Sequence, residues 1–155
     1  LNYWSRNDIE RILKEYGEEQ FGKEIARLIV AERSLKPIRK TQQLVNIIKE
    51  ASPKWYQRRK IHPATKTFQA LRIAVNDELQ NLQTALEQSP EVLNAGGRIV
   101  IISFHSLEDR TAKNFLKNQP QLSLLTKKPI TPSQKEIKEN KRARSAKLRA
   151  AMKKS

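Results

Sequence analysis

Apolar residues recur every three or four positions along most of this chain, and in one short stretch they run unbroken. Ile9, Ile12, Leu13 and Tyr16 follow Ser5 at helical spacing. Asp8 stands at the capping-box position and Gly17 suits the residue just past a helix end. A second helix is predicted from about Glu18 to Arg33, with Phe21, Ile25, Leu28 and Ile29 on one face and Pro37 beyond its end. Thr41 is expected to cap a third, which buries Leu44, Val45 and Ile48 and stops before Pro53. These short helices predict a small bundle that presents a surface and carries no paired titratable groups.

Pro63 suits a first helical position. Phe68, Leu71, Val75, Leu79, Leu82 and Leu86 then predict one long amphipathic helix. Next, Gly96-Gly97 introduces Arg98-Ile-Val-Ile-Ile-Ser-Phe104. An unbroken β-branched run reads as a strand buried on both faces, as in a parallel sheet. Ser106 is expected to cap the following helix, with Asp109 as its box partner and Leu107, Phe115 and Leu116 as apolar contacts. Helix, turn, buried strand and helix read as α/β with a doubly wound sheet, in which ligands sit at the carboxyl ends of strands. Ser103, His105 and Ser106 occupy that end. Farther on, Leu122 to Thr126 reads as a short strand, and Ser133 as the cap of a helical turn through Ile137.

Charge changes the picture. The 155 residues hold 31 Lys and Arg against 16 Asp and Glu, a formal net charge of +15. Such an excess points to an acidic partner, nucleic acid or an anionic surface. It is also unevenly placed: residues 54–76 carry six basic and no acidic side chains, and residues 127–155 carry eleven basic against two acidic. In the first region Arg58, Arg59, Lys60, His62, Lys66 and Arg72 approach or enter a helix N-terminus, where the dipole favours phosphate. In the second, Arg142, Arg144, Lys147 and Arg149 suit a phosphate backbone, with Arg142 and Arg144 sharing a face if that stretch is a strand. The alternatives are a solvated loop and a basic tail that aids solubility.

Other chemistry is narrowed. No Cys is present, so disulfides, zinc knuckles and thiol nucleophiles are excluded, and no metal site is expected. The longest strongly apolar run is Ile99–Ile102, far short of the roughly 20 residues of a membrane span, and no apolar signal segment follows Leu1. Ser-Phe-His-Ser-Leu-Glu-Asp contains a hydroxyl, an imidazole and carboxylates, but no Gly-x-Ser-x-Gly elbow accompanies it. Neighbours on a strand end point in different directions, so a hydrolytic triad is not expected. The chain opens at Leu1 without Met and is patterned from the start. It is expected to be part of something longer.

Three stretches carry a resemblance: His62-Pro-Ala-Thr-Lys-Thr-Phe-Gln-Ala-Leu-Arg-Ile-Ala-Val-Asn-Asp-Glu-Leu79, Gly96-Gly-Arg-Ile-Val-Ile-Ile-Ser-Phe-His-Ser-Leu-Glu-Asp-Arg110 and Asn140-Lys-Arg-Ala-Arg-Ser-Ala-Lys-Leu-Arg149. In that order, with Tyr16-Gly-Glu-Glu-Gln-Phe21 before them, they resemble the RsmH (MraW) family. Leu124-Leu-Thr-Lys-Lys-Pro-Ile-Thr-Pro132 is similar to bacterial, particularly cyanobacterial, members. The family uses S-adenosyl-L-methionine to methylate the exocyclic N4 of a cytidine in the decoding region of small-subunit ribosomal RNA.

The resemblance implies a C-terminal portion: a helical insertion subdomain at 1–62, then at 63–155 the last strands and helices of a Rossmann-like methyltransferase domain with a basic tail. It implies a cytoplasmic protein, small-subunit rRNA as partner and no membrane. The family's Gly-rich donor loop, its acidic ribose-binding residue and the motif that positions the target amine have no counterpart here. No cofactor contact is therefore carried over, and the catalytic residues stay unknown, with Ser103, His105 and Ser106 the candidates near the active site. The RNA-facing set is Arg58, Arg59, Lys60, Lys66, Arg72, Arg142, Arg144, Lys147 and Arg149. Cytosine N4 is a poor nucleophile until acceptor and donor are aligned, so the chain alone is expected to be inactive. The other reading is a non-catalytic rRNA-binding or assembly module. An incomplete sheet would also leave a strand edge open to self-association.

Overall fold

The structure, a computed structural model, describes residues 1–155 and separates into two compact units, 1–76 and 77–155. The first unit is helical: α1 (Arg6–Gly17), α2 (Gly22–Leu35), α3 (Thr41–Ala51), a single turn α4 (Lys54–Gln57) and α5 (Thr65–Asn76). The Ser5 hydroxyl accepts from the Asp8 amide and starts α1. Its apolar stripe of Ile9, Ile12 and Leu13 is buried with Ile25 and Ile29 of α2, Leu44 and Ile48 of α3 and Ala70 of α5. Helix α5 belongs to this unit because it packs along α1.

Three helix starts lie elsewhere than expected. Glu18 takes the left-handed turn after α1 (φ 47°), so α2 begins only at Gly22. Lys40, not Thr41, is the residue before α3, and the Gln43 side chain accepts from its amide. The single long helix after Pro63 is in fact two. Asp77 adopts a left-handed conformation (φ 50°) and ends α5, and α6 restarts at Glu78. Asp tolerates this conformation better than most residues because its short polar side chain bonds locally.

In the second unit, α6 (Glu78–Val92) leads through a tight turn to β1 (Arg98–Ser103). Then follow α7 (Ser106–Asn118), β2 (Leu122–Leu124), α8 (Gln134–Glu139), a 3-10 turn (Lys141–Ser145) and β3 (Lys147–Lys153). Ser133 caps α8 by accepting from the Glu136 amide, as expected. The Lys153 ammonium donates to the Pro90 and Leu93 carbonyls at 2.7 and 2.8 Å and so closes the end of α6.

The sheet corrects the parallel, doubly covered reading of β1. Strand order is β1-β3-β2, and both pairings are antiparallel. The partner of β1 is the end of the basic tail: Val100 faces Ala150 and Ile102 faces Leu148. Ile99 and Ile101 pack with Phe115 and Leu116 of α7, beside the buried Leu122 and Ala151. On the other face Val100 and Ile102 are 56% and 57% exposed. β1 reads as doubly buried yet is an edge strand with one covered face. The tail correction is local too: Arg142 and Arg144 lie in the 3-10 turn, and the strand begins only at Lys147.

Candidate functional site

The carboxyl end of β1 is built by a helix cap. His105 precedes α7, and its Nδ1 accepts the Glu108 amide at 3.3 Å. The Glu108 carboxylate in turn accepts the amides of Phe104 (2.8 Å) and His105 (3.3 Å). This reciprocal box was expected at Ser106 and Asp109; it lies one residue earlier. A ring nitrogen that accepts an amide carries no proton, so in the neutral imidazole the proton is assigned to Nε2. That Nε2 lies 3.3 Å from Glu108 Oε1, and a Glu78 carboxylate oxygen lies within 4.8 Å of both side chains. The Nδ1 bond thus orients the imidazole at the strand-to-helix junction.

Asp109 does something else. Its carboxylate accepts from Arg149 Nε (2.7 Å) and Nη2 (3.2 Å) and from the Lys147 ammonium (3.2 Å). The Arg149 guanidinium beside it holds the carboxyl below its ordinary range, and Lys147 adds to this. Arg149, read as a phosphate contact, is 7% exposed and tied to Asp109 inside the unit. Lys147 shares the same carboxylate but is only half-buried.

A cavity of about 230 Å³ opens at this junction, lined by Phe104, His105, Ser106, Thr131, Arg144, Ser145, Ala146 and Lys147. The structure thus brings His105 and Ser106 together with Arg144 and Lys147. Ser103 is left out: it is buried, and its hydroxyl donates to the Lys147 carbonyl at 3.4 Å. Arg142 is exposed outside the cavity lining.

The first unit carries the other basic site. The segment after α4 runs back to α5 through Arg58–His62, and His62 takes the Ala64 amide on Nδ1 and the Thr65 amide on its carbonyl. Arg59, Lys60 and Lys66 line a cavity of about 440 Å³ with Tyr56, Ile61, His62, Pro63, Thr65 and Gln69. Arg58 and Arg72 are exposed outside it. The Lys66 ammonium also donates to the Glu18 carbonyl (2.9 Å). The Arg59 guanidinium lies 4.9 Å from the Tyr56 ring centroid and 5.4 Å from that of Trp55. Phe21 packs edge-on to both rings, at 6.1 Å from Trp55 and 4.9 Å from Tyr56.

Beneath Arg59 is a pair that the sequence reading missed. The Tyr56 hydroxyl donates to the Glu19 carboxylate (2.8 and 3.0 Å), which is 3% exposed and also accepts the Phe21 amide. Burial, then the bond and charge of Glu19, push the Tyr56 phenol up to about 12. Tyr56→Phe is expected to destabilise the first unit by about 1–3 kcal/mol, because a buried carboxylate loses a donor. A phenol raised in the folded state contributes in full below its unfolded value of about 10. The difference between wild type and variant should therefore fade between about pH 10 and 12 in urea titrations followed by tryptophan fluorescence.

Known proteins are similar in sequence to nearly the whole chain. The MraW methylase family matches residues 1–154. Proteins named ribosomal RNA small subunit methyltransferase H are similar: that of Trichormus variabilis is 51% identical over 100% of this chain and 50% of its own. The protein of Kosmotoga olearia is 56% identical over 97% of this chain and 51% of its own. That of Synechococcus elongatus is 50% identical over 97% and 50%. The chain spans about half the length of these curated relatives, and its helices with a small sheet are consistent with part of an α/β methyltransferase domain. With a match over nearly every residue, the chain belongs to the MraW methylase family.

Proposed function

We propose that this chain is the RNA-facing and C-terminal part of an S-adenosyl-L-methionine-dependent methyltransferase that modifies N4 of a cytidine in small-subunit rRNA. One observation carries the reading: the family match runs over residues 1–154 while relatives named for rRNA methylation are twice as long. S-adenosylmethionine, when bound, supplies the electrophilic methyl group. The glycines of this chain do not fit a cradle for it. A side-chain carbon at Gly17 or Gly97 would meet a backbone carbonyl at 2.8 Å, one at Gly22 would meet Leu13 at 3.2 Å, and Gly96 (φ 76°) makes the turn into β1. The donor's seat belongs, in this reading, to the rest of the parent protein.

This chain's residues then hold RNA and shape the wall of the active site. Arg58, Arg59, Lys60, Lys66 and Arg72 face phosphates from the first unit, and Arg142 and Arg144 do so from the second, with Lys147 at the edge of its cavity. His105 and Ser106 lie at the active-site end of β1, where His105 positions the junction. The free edge of β1, beside exposed Val100 and Ile102, is the surface through which the chain would self-associate. The reading places the protein in the cytoplasm, and no helix is long and apolar enough to cross a membrane.

Two measurements test this. Labelled S-adenosylmethionine and small-subunit rRNA should give no methyl transfer with the chain alone; transfer without added protein would overturn the inactivity. In a salt titration with single-stranded rRNA fragments, five phosphate contacts would give a slope of log affinity on log salt of about −3.5. Replacing Arg142, Arg144 and Lys147 together should weaken binding more than replacing Arg6, Arg11 and Lys14. A flat salt response would remove RNA as partner. Steep binding by a natural chain that no added protein activates would favour the assembly module.

A further inference from the structure

We infer that the cavity between Tyr56 and Lys66 takes one unstacked base of a single-stranded RNA, with the Arg59 guanidinium as its stacking platform; this rests on the RNA reading above. The lining is the first argument. A seat for phosphate alone needs cations and amide donors, and Lys60, Lys66 and the start of α5 supply the cations and the positive helix end. It does not need an apolar wall. Here Ile61 is 61% exposed at the cavity, with Tyr56 and Pro63 lining it beside the same cations. Its volume of about 440 Å³ lies within the usual range of small-ligand sites, about 300–1,000 Å³.

The second argument is the state of Arg59. A lysine or arginine that only neutralises phosphate gains nothing from lying against aromatic rings. Arg59 is held over two rings at 4.9 and 5.4 Å, and those rings are locked edge-to-face at 5.9 Å. A guanidinium is planar and weakly hydrated, and beside these rings its cationic face can stack on a nucleobase as an aromatic ring does. The nearby carboxylate that would compete for it, Glu19, is buried and occupied by the Tyr56 hydroxyl. Bases inside a duplex are already stacked, so the fitting ligand is a loop, an end or an extruded nucleotide.

The test uses the full chain, a short labelled oligoribonucleotide and an abasic strand with the same number of phosphates. Wild type should bind the base-bearing strand about tenfold more tightly, the scale of one stacked base. Arg59→Lys keeps the charge and loses the plane. It should erase that ratio, while Arg39→Lys, at an exposed site before α3 and outside the RNA-facing set, keeps both the ratio and the affinity for the abasic strand. Ile61→Asn, which leaves the aromatic cluster intact, should lower the ratio as well and serves if Arg59→Lys alters the fold by circular dichroism. Equal binding of both strands by wild type, or an unchanged ratio in both variants, would overturn the base pocket while leaving RNA binding in place. Absence of salt-dependent binding to either strand would instead remove the RNA reading itself, and the pocket with it.

Discussion

Replacing Asp109 with alanine is expected to destabilise the second unit by about 3–5 kcal/mol, the usual result of removing one partner from a buried ion pair. Arg149 makes the effect large. Its side chain is 8% exposed, and its Nε and Nη2 are both spent on the Asp109 carboxylate. Without that carboxylate a guanidinium that cannot give up its proton stays inside β3. Lys147, 40% exposed, can turn to water and should contribute far less on its own. A paired replacement by apolar residues of similar size, Asp109→Leu with Arg149→Met, should recover most of the loss, because neither charge then has to be desolvated. Both tryptophans, Trp4 and Trp55, lie in the first unit, so the readout is amide exchange in β1 and β3. The pH dependence has a definite sign. A carboxyl held below its ordinary range contributes fully above about pH 4, and the contribution is lost as pH falls through the depressed folded value. The gap between wild type and Asp109→Asn should therefore narrow below about pH 4. A loss under 1 kcal/mol at pH 7 would show that the pair is not what holds β3 to α7.

That pair also shows where the sequence stops being informative. The basic tail reads as cation-dense, and by composition a buried arginine looks like an exposed one. Arg149 is buried because β3 is the central strand and its register sets Arg149 opposite Ile101, on the face that α7 covers and where Asp109 meets it. The unbroken run of β1 was legible as a strand, yet its pairing was not. Its partner lies some 50 residues away in a strand where two of the four apolar residues are alanine and three of the seven residues are basic. The helix start at His105 was hidden for another reason. Serine is the stronger cap by type, and Asp109 follows Ser106 at the same spacing as Glu108 follows His105, but the Asp109 carboxylate is taken by Arg149 and Lys147 from far along the chain.

The helical unit was easier to read, since Ile9, Leu13, Ile25, Ile29, Leu44 and Ile48 sit on the faces that their spacing predicts. The cations before and at the start of α5 were legible as charge, and the structure gathers Arg59, Lys60 and Lys66 at one cavity. The position of Arg59 over two rings was not legible. It depends on Trp55 and Tyr56 folding back over Phe21, a long-range contact that Pro53 and a single helical turn make possible. Glu19 was overlooked because an acidic residue near a helix start usually faces water, and only Tyr56 from the far side of the unit accounts for its burial.

Gly17 brings these threads to one atom. It reads as the glycine that ends α1 in a left-handed turn, but Glu18 makes that turn, and Gly17 is the last helical residue. Its reason is contact. A side-chain carbon there would stand 2.8 Å from the Lys66 carbonyl oxygen and 3.1 Å from the Ala70 side chain, where α5 crosses α1. Gly17→Ala therefore sets two effects against each other. Helix propensity favours alanine by up to about 1 kcal/mol, and forcing a methyl against packed backbone costs about 1–3 kcal/mol. The carbonyl cannot move without moving α5, so the second effect should win, with a net loss of about 1–2 kcal/mol. Gly17→Val should lose more than 3 kcal/mol, since two further methyl groups meet the same wall. Ala70→Gly should not rescue either variant, because it leaves the Lys66 carbonyl in place. Urea unfolding followed by Trp4, which packs against this core, would report the change. A stabilised Gly17→Ala would mean that α5 can slide on α1. The register that holds Lys66 beside the basic cavity would then be looser than the close approach at Gly17 implies.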